Sequence, residues 1–449
     1  MSFPRYPEYK DSGVEWLGEV PGHWSLRPLW SLFRRTKRTG FENEQLLSVY
    51  RDHGVVPKAS RDDNNNKPSD DLSTYQLVDV GDLAINKMKA WQGSVAVSEH
   101  RGIVSPAYFV YEGTHSEDGR YLHHLMRSPR YVGACHALSK GIRVNQWDLD
   151  PTYHSRLPVL LPPKAEQACI AAFLDRETAK IDALVAEQQN LIALLKEKRQ
   201  ALISHAVTKG LDPDVPMKDS GVVWLGEVPA HWSVGKTGYY LAIVAGFAFS
   251  SAGFSLEQSD ARLLRGINVG VGRIKWEEVV YWKRVVGDGL EPYELKVDDL
   301  VIGLDRPLIA EGVRIARISE ADLPCLLLQR VAALHPRPSM HSAYIYYLLA
   351  SDMFVAHFAP ETTGVSVPHI SPDQIGQFVI PIPPLPEQVE ITDHVISESE
   401  KIEVLMCEAK ASIELLQERR TALISAAVTG KIDVRHLAVA TADPTPEPA

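Results

Sequence analysis

The chain is poor in the residues that build metal sites and disulfide frameworks. It has four cysteines in 449 residues, and they form no CxxC pair and no cysteine–histidine cluster. Structural zinc needs such clusters, and a disulfide framework needs more cysteines in a short chain. We therefore expect a reduced, cytoplasmic protein with no bound metal.

Long apolar runs are also missing. No stretch approaches the roughly 18 apolar residues that a membrane span requires. The opening residues, MSFPRYPEYKDSG, lack the apolar core of a secretory signal. We expect no partnership with a membrane.

The motifs of several enzyme classes are absent as well. The sequence has no GxxxxGK[ST] phosphate-binding loop, and no Asn/Asp-Pro-Pro-Tyr/Phe tetrapeptide like that of adenine methyltransferases. The glycine-rich stretch 266–272 has the wrong spacing for a dinucleotide turn, and we predict a structural hairpin turn there. The similar segments 46–56 and 263–274 are each expected to form a strand, a turn and a strand. We therefore predict no catalytic residue and no cofactor held by the chain itself.

Charge does not point to nucleic acid at first sight. The formal net charge is −10, from 47 basic and 57 acidic residues, whereas nucleic-acid-binding domains are usually basic. The segment 25–157 nevertheless carries 18 basic against 15 acidic residues, and 233–379 carries 13 against 16. The acidic excess lies largely elsewhere, so nucleic acid remains a possible partner for these two segments.

What the sequence does contain is an internal repeat. DSGVEWLGEVPGHW at 11–24 and DSGVVWLGEVPAHW at 219–232 agree at twelve of fourteen positions. Farther along, ALISHAVT at 201–208 and ALISAAVT at 422–429 agree at seven of eight. The chain therefore contains two copies of one sequence module.

Between these anchors, two proline- and glycine-free stretches have a heptad pattern of apolar residues. Each follows a Pro-Pro pair and precedes a glycine, which are start and stop signals of a helix. We predict two helices of about 43 residues, hence about 65 Å each. A seam of this length must bury against a partner helix, so we expect the two to pack on each other, with antiparallel pairing favoured over parallel pairing. A core helix of a bundle is the alternative.

The segments between the helices show short strands and turns of a mixed kind. We predict an α/β (α+β) protein with two mixed domains and an internal pseudo-twofold repeat. The predicted parts are the repeated motif with the first domain (1–157), the first long helix (158–210), the second motif and domain (211–379), the second long helix (380–431) and a disordered tail (432–449).

This arrangement resembles the specificity subunit of type I restriction–modification systems. The resemblance rests on the twin WLGEVPxHW motifs, the PPxxEQ entries at 162–167 and 383–388, and the two similar helix ends, and it spans almost the whole chain. It implies two target-recognition domains that each read half of a split double-stranded DNA site, on an antiparallel coiled coil that sets the gap.

The resemblance also implies partners. Two methyltransferase subunits, and in the full enzyme two restriction/translocase subunits, would carry out adenine methylation and cleavage and would bind S-adenosylmethionine, ATP and magnesium. Two alternatives remain open: a specificity chain for a fused nuclease–methylase, and a coiled-coil adaptor that binds no DNA. We expect the repeated motifs to form the scaffold and partner surfaces, through Trp16, Trp24, Trp224, Trp232, Glu166, Gln167, Glu387 and Gln388.

Candidate DNA contacts are cationic or amide side chains near strand ends, because base edges and phosphates need such donors. In the first domain they are Arg34, Arg35, Lys37, Arg38, Lys87, Lys89, Trp91, Gln92, Lys140, Arg143, Asn145 and Gln146. In the second they are Arg273, Lys275 and Arg306. A solvated surface is the alternative for each cluster, and the polar run 62–67 is expected to be a loop. Because the two domains share few of these residues, we expect two different half-sites.

Overall fold

The computed structural model describes residues 3–51, 53–61, 67–141, 147–362 and 368–437. The chain forms two compact units. Unit 1 comprises Met1–Gln189 and Lys410–Ala449, and unit 2 comprises Asn190–Ala409. All four cysteines are free thiols.

The described residues of unit 1 form fourteen short strands and four helices, the last of which continues into unit 2. The strands are β1 Tyr9–Asp11, β2 Glu19–Pro21, β3 Ser25–Pro28, β4 Phe33–Thr36, β5 Leu47–Tyr50, β6 Gly54–Pro57, β7 Gln76–Val78, β8 Leu83–Asn86, β9 Val95–Val97, β10 Gly102–Val104, β11 Tyr108–Gly113, β12 Ser139–Lys140, β13 Asp148–Leu149 and β14 Pro158–Leu161. The helices are α1 Gly119–Arg127, α2 Pro129–Ala137, α3 Pro151–His154 and α4 Lys164–Lys209.

In unit 2 the part of the chain that the structure describes forms thirteen strands and the remaining helices, and its last helix returns to unit 1. The strands are β15 Met217–Asp219, β16 Glu227–Pro229, β17 Ser233–Lys236, β18 Leu241–Ala245, β19 Ala261–Leu264, β20 Tyr281–Trp282, β21 Leu300–Gly303, β22 Leu308–Ile309, β23 Gly312–Val313, β24 Ile315–Arg317, β25 Cys325–Leu327, β26 Val331–Pro336 and β27 Val379–Ile382. The helices are α5 Thr237–Tyr240, α6 Ser342–Leu349, α7 Asp352–Thr362, α8 Pro372–Gln377 and α9 Leu385–Val428.

The same four-stranded antiparallel sheet occurs in both units. Its order is β4-β11-β8-β9 in unit 1 and β18-β26-β21-β24 in unit 2. The inner strands β8 and β21 are apolar on both faces: Leu83 and Ile85 enter one core and Ala84 another. Leu300 and Val301 divide between two cores in the same way. A sheet covered on both faces needs continuous apolar runs rather than alternation.

The two long helices pack against each other within each unit. In unit 1, Leu174 of α4 shares a core with Ala427 of α9, and farther along α4 Asp182 accepts a hydrogen bond of 3.0 Å from Arg420. Moving forward along α4 therefore means moving backward along α9. The predicted antiparallel coiled coil and the α+β fold with an internal repeat are confirmed.

Unit 2 repeats this arrangement with the helices exchanged. Val207 of α4 shares a core with Ile391 of α9, and Arg199 donates to Glu403 at 3.2 Å. Asp182 and Glu403, like Arg199 and Arg420, are 221 residues apart, which is the offset of the sequence repeat. The same ion pair therefore forms in both units.

One sequence-based expectation about local structure is wrong. The stretch 263–274 was expected to form a strand, a turn and a strand like 46–56. The first region does form the hairpin β5–β6, but β19 ends at Leu264 and pairs with β20 and β25 instead. Only a tight turn closes near Gly270, whose N–H donates to the carbonyl of Arg273. Strand pairing with distant segments overrides the local pattern.

Candidate nucleic-acid interface

A cleft of about 680 Å³ opens on unit 2 and is lined by an excess of positive charge. Its cationic lining residues are Arg265, Lys275, Arg306, Arg314 and Arg330, against one carboxylate, that of Asp305. Phosphates and guanine edges are both recognised by this kind of lining. The cleft is thus suited to nucleic acid.

Separate loops bring these side chains together. Asp305 and Arg306 follow β21, Arg314 lies between β23 and β24, and Arg330 precedes β26. Because β21 pairs with both β24 and β26, the ends of these three strands meet at one edge of the sheet. The sheet order therefore creates the cleft.

The charges in the cleft are held in fixed places. Arg314 donates to the carbonyl oxygens of Val269 at 2.9 Å and Asp305 at 3.0 Å. Burial, with the nearby charge of Arg306, lowers the pKa of Arg314, although Asp305 opposes this. The Asp305 carboxylate also bonds Arg330 at 3.0 Å and His369 at 2.8 Å. Asp305 therefore fixes the positions of nearby basic side chains but does not neutralise all the cations of the cleft.

Two of the three candidates in the second domain lie in this cleft. Lys275 and Arg306 line it, whereas Arg273 lies exposed in the adjacent tight turn. The candidates chosen from the sequence do not include Arg265, Arg314 or Arg330. These residues sit on different loops, and no spacing in the sequence shows that the loops converge.

The basic cluster of the first domain lies on the edge strand β4 and just beyond it. Arg34 pairs with Glu112 at 2.7 Å, Arg35 lies 4.4 Å from the centre of the Phe109 ring, and Arg38 pairs with Asp82. Burial raises the pKa of Asp82, although Arg38 opposes that effect. Lys37 is exposed. Three of these four candidates therefore already have partners within unit 1.

Two of the candidates after β8 line a second cavity, of about 520 Å³. Trp91 and Gln92 line it with Arg127 and Arg420. Trp91 packs edge-on against Trp147, with ring centres 4.8 Å apart. The structure thus places two predicted residues beside further cations of unit 1.

The remaining candidates of the first domain are spread around this region. Lys89 is exposed, and Lys87 lies 5.9 Å from the Phe109 ring centre. Lys140 is exposed and lies 4.8 Å from the Tyr153 ring centre. Other predicted positions lie outside the described residues: Arg143, Asn145, Gln146 and most of the polar run 62–67.

The repeated motifs make matching contacts inside each unit. The indole N–H of Trp24 and the imidazole of His23 bond Glu166 at 3.0 and 2.8 Å. In unit 2 the Trp232 indole and the His231 imidazole bond Glu387 at the same distances. The glutamate in the first turn of each long helix therefore binds the repeated motif of its own unit.

The other predicted scaffold residues also pack internally. Gln167 and Gln388 are fully buried. Each accepts the backbone N–H that begins a domain helix, that of Asp118 before α1 and that of His341 before α6. The remaining tryptophans are half-buried against aromatic rings, Trp16 on Tyr131 and Trp224 on Phe378.

Within the described ranges, no group of three or more histidine, cysteine, aspartate or glutamate side chains is arranged to hold a metal ion. In the same ranges, no helix combines the length and apolarity that crossing a bilayer requires.

The fold defines a class of protein in which two copies of one α+β domain are built around an antiparallel pair of long helices. A solved structure with this fold comes from a study of complex assembly and conformational transition in the type I R-M system; it has a TM-score of 0.64 and 16% identity, and covers 91% of this chain and 98% of its own. The HsdS subunit from Thermoanaerobacter tengcongensis gives a TM-score of 0.50 and 15% identity over 92% of this chain and 98% of its own.

Sequence comparison finds relatives among type I specificity subunits. The MjaVIII type I specificity subunit of Methanocaldococcus jannaschii is 27% identical over 64% of this chain and 65% of its own length. The EcoAI specificity subunit of Escherichia coli is 31% identical over 49% of this chain and 37% of its own length. The putative MjaX subunit of M. jannaschii is 21% identical over 93% of this chain and 96% of its own length. No known family model matches. This chain is a relative of type I restriction enzyme specificity subunits, which confirms the predicted resemblance.

Proposed function

We propose that this chain is the DNA sequence-specificity subunit of a type I restriction–modification complex. Each unit would use its α+β domain to read one half of a split, asymmetric DNA site. The observation that carries the proposal is the unit 2 cleft, where five cations face one carboxylate on a fold shared with type I system structures. A net-acidic chain that concentrates cations in one cleft directs DNA to that cleft.

The proposed partners supply the chemistry. Two methyltransferase subunits would bind S-adenosylmethionine and modify adenine, and two restriction/translocase subunits would use ATP and magnesium. The internal contacts of Glu166 and Glu387 support a scaffold role for the repeated motifs. Because the two domains share few of their candidate contact residues, we infer that the two half-sites differ.

The test is co-expression of the full chain with its methyltransferase subunit in a host free of DNA methylation, followed by genome-wide mapping of modified adenines. We expect a split motif of two different short sequences around an unspecified gap. The purified complex should bind that motif with an affinity that falls steeply as salt rises, because counterions are released from each phosphate contacted.

A soluble complex that neither modifies nor binds DNA would contradict the proposal and favour the adaptor function. A perfectly palindromic motif would contradict the inference of two different half-sites. Replacing the chain by an unrelated coiled-coil protein in the same co-expression is the control for background methylation.

A further inference from the structure

One loop of the unit 2 cleft is anchored on every side. It joins β21 to β22, and its backbone bonds three other segments: the N–H of Leu304 donates to Arg330, that of Arg314 to Pro307, and that of Arg306 to Pro368, at 2.7–2.9 Å. The carbonyl oxygen of Leu304 accepts from the N–H of Ile370. The loop is therefore held rigidly.

This loop holds an arginine in an unfavourable backbone conformation. Arg306 has a φ of +46°, in the left-handed region that side-chain-bearing residues rarely adopt. Such a conformation is unfavourable and persists only where surrounding contacts over-determine it. Strain of this kind concentrates at functional sites, because it fixes the direction of a side chain.

The Arg306 side chain, which this fixed backbone carries, is exposed and has no polar partner among the described residues. The neighbours of Arg306 are occupied: Pro307 is buried, and the Asp305 carboxylate bonds Arg330 and His369. Among the described residues, none forms a hydrogen bond or ion pair with the Arg306 guanidinium. The loop thus presents one rigidly based guanidinium on the lining of the cleft.

We propose that Arg306 is a specificity-determining residue that donates two parallel hydrogen bonds to O6 and N7 of a guanine in the half-site read by unit 2. This inference rests on the proposed function. Arginine paired with guanine is the commonest base-specific contact in the major groove, since only guanine offers two acceptors there.

A phosphate contact would not need this construction. A phosphate can be neutralised by any cation on a mobile stem, such as the nearby Lys275. Strain and anchoring contribute only where the direction of the guanidinium matters, which is the case for a bidentate contact to a base edge.

The experiment uses the methyltransferase complex and duplexes that carry the mapped motif. Each guanine of the half-site assigned to unit 2 is replaced in turn by 7-deazaguanine, which lacks the N7 acceptor. We expect one position at which this change weakens binding of the unaltered complex at least about fivefold and leaves binding of the Arg306→Ala complex unchanged. At that base pair Arg306→Ala should also lose discrimination between guanine and adenine by about 5- to 150-fold.

Two further variants separate base reading from charge. Arg306→Lys keeps the charge and should still lose most of the discrimination. Lys275→Gln should weaken all duplexes about equally and reduce the salt dependence instead. Arg337→Ala, an exposed arginine of unit 2 outside the cleft lining, is the matched control for folding and net charge.

Several outcomes would overturn the proposal. They are a unit 2 half-site without guanine, an Arg306→Ala complex that keeps every 7-deazaguanine sensitivity, and an Arg306→Lys complex with full discrimination. In each case sequence-specific binding by the unaltered complex would leave the proposed function standing. Absence of any sequence-specific binding would overturn both.

Discussion

A pair of tyrosines shows how single residues tie each domain to the helices. The hydroxyl of Tyr121 lies 2.9 Å from the carbonyl oxygen of Leu160 and 3.4 Å from that of Val428. Tyr344 reaches the carbonyl oxygens of Pro381 and Val207 at 3.2 and 2.9 Å. Burial raises the pKa of both tyrosines well above its ordinary value. Each domain therefore bonds one long helix, and the strand that leads into the other long helix, through one neutral hydroxyl.

His154 predicts how unit 1 responds to acid. The side chain is fully buried, and neither ring nitrogen has a partner among the described residues. Burial lowers its pKa to about 4, from an ordinary value of 6.5. Between these pH values the unfolded chain binds the proton more readily than the folded chain does. The contribution of His154 to the stability of unit 1 is therefore complete above pH 6.5 and is lost as the pH falls toward 4. The loss amounts to about 3 kcal/mol.

We expect His154→Leu to remove most of that acid sensitivity. The measurement is hydrogen exchange of unit 1 peptides between pH 7 and pH 4, corrected for intrinsic exchange. His205→Leu, at an exposed position of α4, is the control and should leave the pH dependence unchanged. Equal pH dependence of the His154→Leu and unaltered chains would exclude this role.

At the scale of the element, the buried residues of the helix pair follow the predicted heptad with local departures. Ile170, Leu174 and Ile181 are buried as the heptad predicts, but Leu184 and Leu405 are 44% and 48% exposed. In α9 the neighbouring Met406 is buried in place of Leu405. An α-helix with 3.6 residues per turn drifts by about 20° per heptad, so the buried face moves to the adjacent residue.

This difference gives a matched pair of substitutions on α9. Ile402 is 4% exposed and packs with Leu195, so Ile402→Ala should cost about 2–4 kcal/mol through lost contacts and a cavity. Leu405→Ala removes the same kind of side chain from an exposed position and should change stability by less than about 0.5 kcal/mol. Urea unfolding of unit 2, followed by hydrogen exchange, measures both. Similar costs for both would mean that Leu405 is also covered.

The ion pairs between the helices contribute less than this apolar packing. Asp182 and Glu403 are 57% and 49% exposed, and exposed pairs are worth about 0–1 kcal/mol because water screens them. Their value is in register, since each pair forms only in one antiparallel alignment of α4 with α9.

At the scale of the whole molecule, residues from the first and the last described segments of the chain meet within unit 1. The N–H of Asp433 donates to the carbonyl of Pro4 at 2.8 Å, and the hydroxyl of Tyr9 donates to that of Gly430 at 3.0 Å. Unit 1 is therefore assembled from both ends of the chain, and unit 2 from the middle. Formation of unit 1 must wait for the last helix to be synthesised.

The proposed function makes the helices a spacer whose length can be changed. Seven residues inserted after Gln189 and seven after Lys410, at positions 221 residues apart, leave both interhelical ion pairs intact. The insertions lengthen the helix pair by about 10 Å, so the tolerated gap between half-sites should grow by about three base pairs at 3.4 Å each.

Methylation mapping with the lengthened chain checks this spacer prediction. An insertion in α4 alone, which destroys the register, is the control and should abolish modification. An unchanged gap in the doubly extended chain would show that the helices do not set the spacing.

The duplication, the two long helices and the resemblance to type I specificity subunits were all readable from the residues, because motif identity and helical periodicity are local properties of the chain. The pairing of Trp24 with Glu166 and of Trp232 with Glu387 was not, although all four residues had been singled out. The cleft was least accessible to sequence reasoning. Arg314 and Arg330 converge with Arg306 only because β21 lies between β24 and β26, and strand order depends on contacts between segments far apart in the chain.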